Sequence, residues 1–447
     1  MRLRLLGFAL ALACAAPPAP AHADEGTLVR REVPDLDGRP EQGPDPVLDG
    51  LLWVPRILTS PLYLVSEYVI RAPLAALLTA LEREGVIDWL FAAAGPFTVM
   101  PTMFYEFGLS PSIGLYAAFE GLGFDENRLS AHAATWGEDW LRLIVRDRVR
   151  ITERVEIAGR FEARRRPDQL LEGIGFDATQ VTRGRFAVDL LEGRIELKIS
   201  PWRRSALELQ AGYRNVGFRD EGWSGDPSVL GRGIAPPTGY LTGYELVFFR
   251  ADLLFDSHEP TRELTRSRVR ARVLVEQNAA FGGLTANDAR LFSSFVRWGG
   301  ELAASTDFLG AGRVFMLRFR TELVSPLREG APIPFYELPD AGGRGPLPGF
   351  IPGQLRGESM MGLSLEYVWP VYALLDGFTT FSVGNAFGEH YAGFGWDRLR
   401  LSWQIGIVPR FEGEHLIEIS FGLGTETFER GATLSQARLV VGARHGL

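Results

Sequence analysis

The chain has 447 residues, 46% of them hydrophobic and 23% charged, with a net charge of −8. Its 51 glycines follow no three-residue period, and 29 Phe, 10 Trp and 11 Tyr are too many for a collagen-like or disordered chain. One cysteine excludes a disulfide framework or a multi-cysteine metal centre, and the acidic balance excludes a nucleic-acid partner attracted by bulk charge.

Residues 1–23 read as a secretory signal peptide: a basic Met1–Arg4 start, an apolar run Leu5–Ala16, and Ala21-His22-Ala23 as a small-x-small cleavage site before Asp24. The lone Cys14 lies inside this segment, in an Ala11-Leu-Ala-Cys14 context that fits a lipobox poorly. A polar linker, 24–45, follows. Residues 46–95 read as a Pro-broken amphipathic helical segment, punctuated by Pro55, Pro61 and Pro73. Its longest uncharged stretches, Ile57–Ser66 and Ala72–Leu81, are too short for a membrane-crossing helix. Two placements stay open: packed on its own domain, or lying on the periplasmic membrane face or closing a pore.

From Phe97 the hydrophobic period changes to two. In Thr265–Glu276, Arg266, Arg268, Arg270 and Arg272 alternate with Ser267, Val269, Ala271, Val273 and Val275. Successive strand side chains face opposite ways, so this is a ribbon with one charged and one apolar surface. Arg318 and Arg320 alternate in the same way with Phe315, Leu317 and Phe319, and Arg400 with Leu399, Leu401 and Trp403. A soluble sandwich also alternates. Charged faces on strand after strand, aromatic-rich apolar faces and runs near ten residues instead favour an all-β fold, a transmembrane antiparallel barrel with a hydrated lumen over 96–447. Arginine on the lipid side would cost about 2–4 kcal/mol near the midplane, which points these arginines inward. About sixteen strands are expected. The alternation breaks at Asp189–Arg194, through a bulge or a turn, so fourteen or eighteen remain open. Asp220–Thr238 and about 325–358 are long connections, the second folding into the lumen.

Tyr336-Glu-Leu-Pro-Asp-Ala-Gly-Gly-Arg-Gly-Pro-Leu-Pro-Gly-Phe350, then Gln354-Leu-Arg-Gly357 and Ser364-Leu-Glu-Tyr-Val-Trp-Pro-Val371, resembles the BamA/TamA-type outer-membrane assembly-factor barrels, the bacterial surface antigen family. The resemblance implies a sixteen-stranded barrel and a lumenal-loop motif at Gly349, Phe350, Arg356 and Gly357. Relatives carry an arginine before the Gly-Phe pair and an acidic wall residue that locks it. Here Pro348 and Ser382 stand at those positions, and Val368 replaces the arginine of the Glu-Tyr-Arg motif. Losing one partner of a buried pair costs about 3–5 kcal/mol whereas losing both can be neutral, so the joint absence is coherent. A displaced lock would pair Arg344 or Arg356 with Glu366. The polypeptide-transport-associated domains that precede the barrel in relatives have no counterpart in 24–95. Gly442 matches the C-terminal signature, but His445 and Leu447 stand where aromatics are usual.

Motifs for chemistry are few. No His spacing suits zinc, and neither a Gly-x-Ser-x-Gly elbow nor a P-loop occurs, so no enzyme, metal or cofactor is expected. Glu389-His390 and Glu414-His415 would need a nucleophile such as Ser359 or Ser382 within reach. The inward arginines have two readings: a charge lattice with Asp252, Glu301, Glu322 and Glu418, or a wall favouring anions or acidic lipid head groups. The expected protein is a monomeric barrel in the outer membrane of a Gram-negative cell, its N-terminal segment periplasmic and outer-membrane lipids around it. It would assist insertion or translocation of envelope proteins or lipids with a periplasmic or envelope partner supplied in trans. The alternative is a passive or structural pore with a plugged lumen.

Overall fold

A computed structural model describes residues 93–94, 96–177, 183–258, 267–284, 290–307, 313–372, 375–409 and 415–445. The expected signal, the linker and nearly all of the 46–95 segment lie outside these residues. Sixteen strands form the wall: β1 Phe97–Glu106, β2 Ser112–Glu120, β3 Asn127–Thr135, β4 Leu141–Thr152, β5 Val155–Leu171, β6 Gly184–Trp202, β7 Ser205–Arg219 and β8 Tyr244–Asp256, then β9 Arg268–Leu284, β10 Arg290–Asp307, β11 Val314–Pro326, β12 Ser359–Tyr372, β13 Leu375–Phe387, β14 Arg400–Pro409, β15 His415–Thr427 and β16 Leu434–His445. Each pairs antiparallel with its sequence neighbour, and β16 returns to β1, closing the sheet. Tight turns join β4 to β5 and β6 to β7 at one end. The connections 220–243 and 327–358 lie at the other, an asymmetry usual in outer-membrane barrels.

The two-residue period sets the faces. On β8, Val247, Phe249, Leu253 and Phe255 are exposed outward, Phe249 by 64%, while Leu246, Phe248, Asp252 and Asp256 are buried on the inner side. On β9, Val269, Val273 and Val275 point outward, opposite Arg268, Arg270 and Arg272. Arg266 lies outside the described residues. An outer surface this apolar is stable against hydrocarbon and costly in water.

Three expectations need correcting. The break at Asp189–Arg194 is neither a bulge nor a turn: β6 runs through it in unbroken register with β5 and β7. Asp189 faces outward, where Arg165 donates to it at 2.9 Å and Arg219 lies 3.4 Å away, while Leu190 turns inward. The pattern inverts there because the inner face becomes apolar and the outer face carries an ion pair. The count is therefore sixteen. The inner face is also not charged throughout. At the long-loop end, Phe186, Val188, Val216, Leu246 and Phe295 pack with Tyr240 and Phe335 from the two long connections. Phe186 stacks edge-on against Phe335 at 5.5 Å and Tyr240 at 5.9 Å. Finally, the last residues of the expected helical segment are extended: Ala93 and Ala94 pair with Thr98 and Phe97 along the edge of β1.

Candidate functional site: the lumenal loop and the first–last strand seam

The connection between β11 and β12 folds into the lumen, held from three sides. At its root, Phe335–Glu337 forms a single 3-10 turn that buries Glu337 to 1% exposure. Arg214 on β7 donates to both carboxylate oxygens at 2.9 and 2.8 Å, Tyr244 on β8 donates at 2.7 Å, and Arg297 on β10 at 3.3 Å. Burial pushes this carboxyl up, but the Arg214 and Arg297 guanidiniums outweigh it and hold the group at about 2. In this clamp the loop supplies the acid and the wall supplies the arginines.

The loop tip lies against the inner wall of β12–β15. Gly349 N–H donates to Ser402 Oγ at 2.7 Å, Ser364 Oγ to the Pro346 carbonyl at 3.4 Å, and Ser382 Oγ to Ser364 Oγ at 2.9 Å. A Cβ on Gly349 would stand 2.1 Å from the Leu423 carbonyl oxygen, so only glycine permits this approach. Phe350 is fully buried over Gly424 and beneath the Arg400 guanidinium. Around Pro348 and Ser382 the tip is thus seated by backbone and hydroxyl hydrogen bonds on a wall of small residues. Val368, the third departure, packs with Val314 and Phe378.

The third anchor comes from the last strand. Arg438 on β16 donates through Nη1 to the carbonyls of Pro348 at 2.7 Å and Gly343 at 3.2 Å, and through Nε to Glu106 of β1 at 2.8 Å. Both side chains of this ion pair are nearly sealed, 4% and 2% exposed. One guanidinium therefore ties the loop tip, the last strand and the first strand together.

The backbone seam beside it is sparse. Val440, Val441 and Gly442 pair with Glu106, Tyr105 and Phe104, and Phe107 N–H donates to the Leu439 carbonyl at 2.8 Å. These are three pairs among the described residues, where the barrel's other ladders carry from seven to fifteen. All lie toward the long-loop end. At the other end, Ala93–Ala94 occupies the β1 edge, and Pro101 has no N–H to offer a partner.

Among the described residues no ion pair joins Arg344 or Arg356 to Glu366. Arg356 lies over the Tyr336 ring at 4.9 Å and donates to the Tyr336 carbonyl at 3.1 Å, the Arg344 carbonyl accepts from Arg320, and Glu366 accepts from Thr380 at 3.1 Å. Gly357 N–H closes the loop base on the Pro339 carbonyl at 3.1 Å. Most inward arginines pair as a lattice would require: Arg268 with Asp256 at 3.4 Å, Arg272 with Asp252 at 2.8 Å, Arg320 with Glu322 at 3.5 Å, and Arg400 with Glu426 at 3.2 Å. Glu418 instead accepts from Gln404 and Ser420. Glu337, Arg438 and Glu106 were missed by the sequence reading. Glu337 had a signal, an acid between aromatics at the entry to the Leu-Pro-Asp run.

Glu389 lies 3.6 Å from His390, whose Nε2 is 3.2 Å from Ser325 Oγ. The acid and histidine are both exposed, and Ser359 and Ser382 are engaged by Gly388 and Ser364 instead. Glu414 lies outside the described residues. No group of three or more metal-ligating side chains occurs among the described residues.

No protein-family model and no curated protein matches the sequence. Among solved structures, CdiB from Acinetobacter baumannii is similar at 9% identity and TM-score 0.49, over 79% of this chain and 60% of that one. BamA from Haemophilus ducreyi lacking POTRA domains 1–3 is similar at 13% identity and TM-score 0.53, over 78% of this chain and 70% of that one. At that identity the likeness is one of fold: the chain forms a sixteen-stranded antiparallel barrel resembling that of BamA.

Proposed function

We propose that the protein is an outer-membrane barrel that assists the insertion or translocation of envelope proteins or lipids. The sparse seam carries this reading. With three strand pairs at 104–106, and Ala93–Ala94 covering only Phe97 and Thr98, the stretch of β1 between them is left for an incoming strand, Pro101 offering no N–H. In this reading residues 1–23 direct export, the barrel is monomeric with outer-membrane lipids against its apolar face, and the segment up to 95 is periplasmic. Client recognition is supplied in trans by a periplasmic or envelope partner. Arg438 links the loop tip to seam closure, so release of the loop and parting of the strands are one event.

A second reading, a structural barrel with a plugged lumen, is favoured by the buried Glu337 clamp and the aromatic packing at the long-loop end. Tyr105→Cys with Val441→Cys separates the two. These residues are direct partners across the seam, within the Cα range of a disulfide. Folding of an unfolded outer-membrane protein into liposomes holding the barrel and a periplasmic extract would be followed by gel mobility. Acceleration that vanishes on oxidation and returns on reduction supports assistance; acceleration indifferent to oxidation, or none at all, leaves the structural reading.

A further inference from the structure

The inner wall of β9–β11 carries a repeated row with one member changed. The register sets Arg272, Glu301 and Arg320 side by side, a carboxylate between two guanidiniums. One inward row nearer the short-turn end, the same strands set Arg270, Ala303 and Arg318 side by side. The flanking cations repeat, and the central carboxylate has become a methyl group.

The contacts register the loss. Arg270 makes no hydrogen bond or ion pair among the described residues, and its Nε is buried without an acceptor. Asp256, its partner on β8, is committed to Arg268 at 3.4 Å and to the His258 N–H at 3.0 Å. Arg318 comes only to 3.9 Å from Glu301 and otherwise turns to the Met316 sulfur at 3.6 Å; its Nε is also buried without an acceptor. Arg204 and Arg268 add positive charge beside this pair. Adjacent strands lie about 4.8 Å apart, so residues two strands apart are separated by roughly 10 Å. Two arginine side chains at that spacing can converge on one tetrahedral anion above Ala303, which is small and itself buried. The row is reachable from the lumen through Arg318, whose side chain is 37% exposed, and Arg272 in the next row lines a cavity of about 340 Å³.

We propose that the Arg270–Ala303–Arg318 row is a binding site for a phosphate group, carried by a free phosphate or by a lipid head group. Its forks supply charge-assisted hydrogen bonds where the neighbouring row has its own carboxylate. The full chain, folded in uncharged detergent at low salt, is titrated calorimetrically with inorganic phosphate and, separately, with phosphatidylglycerol in mixed micelles. Ala303→Glu rebuilds the motif of the next row and is expected to weaken phosphate binding at least about tenfold while preserving the fold, checked by the unfolding midpoint. Arg270→Gln, which adds no carboxylate, is expected to weaken it by about the same factor. Binding of inorganic phosphate lost in both variants supports a site for the phosphate group itself. Binding of phosphatidylglycerol alone, lost in both variants, assigns the site to a lipid head group. Binding that either variant leaves within twofold of the parent, or no binding of either probe, overturns the proposal.

Discussion

Arg438, nine residues before the end of the chain, donates through Nε to Glu106 of the first strand at 2.8 Å, and both side chains are buried. This ion pair lies beside the three backbone pairs that close the barrel among the described residues. Two charges so enclosed are stable only together.

Removing one partner is therefore expected to be severe. Arg438→Met leaves the Glu106 carboxylate buried without its cation and frees the Pro348 and Gly343 carbonyls, at a cost of about 3–5 kcal/mol. Glu106→Gln with Arg438→Gln should recover much of that loss. The check is urea unfolding in lipid vesicles, followed by tryptophan fluorescence, for both singles and the double. A loss in the double equal to the sum of the Glu106→Gln and Arg438→Gln losses would show that the pair contributes nothing.

Glu337 makes the loop sensitive to acid. Its carboxyl is lowered from an ordinary value of 4.5 to about 2 in the folded protein. A group depressed on folding stabilises the native state above its unfolded pKa, and that contribution falls away as pH drops through its folded pKa. The clamp should thus be fully effective above about pH 5 and weaken between pH 4.5 and 2, by on the order of 3 kcal/mol. Glu337→Gln should flatten this part of the stability–pH curve and expose 327–358 to protease at neutral pH. A parallel pH curve for the variant would remove Glu337 from the account.

Pro348 and Ser382 are expected to behave as a coupled pair of absences. Ser382→Asp places a carboxylate in a buried site whose neighbour is the Ser364 hydroxyl, and should destabilise the barrel by about 3 kcal/mol. Adding Pro348→Arg should restore part of this, a coupling of at least about 1 kcal/mol in a double-mutant cycle. Strict additivity would argue that the two positions do not meet through the loop.

The outward face makes its own prediction. Phe249→Arg should cost about 2–4 kcal/mol of folding free energy in lipid vesicles if that position lies near the midplane. Gln210→Arg, an inner-wall change at a cavity already lined by arginines, should cost much less. Similar losses for the two would contradict the assignment of faces.

What could be read from the residues alone follows from the range of each signal. Alternation is local, so the inward direction of Arg268, Arg270, Arg272, Arg318, Arg320 and Arg400 was legible two residues at a time. The loop motif around Gly349 and Phe350 was also legible, together with the missing charges that make its seat unusual. The Arg438–Glu106 pair was not, because 332 residues separate its members and neither lies in a recognisable spacing. Asp189 misled for a related reason. An outward acid looks like a fault in the pattern until Arg165 and Arg219 on the flanking strands are seen beside it. The apolar inner face at the long-loop end was hidden likewise, since Phe186 and Leu246 find Phe335 and Tyr240 only after the loops fold back.

The pairing of Ala93 and Ala94 with Thr98 and Phe97 has a further consequence. Two edge positions of the first strand, beside the weakest joint of the cylinder, are already taken by the same chain. A newcomer strand would have to outcompete this built-in occupant before it could begin to zip onto the wall.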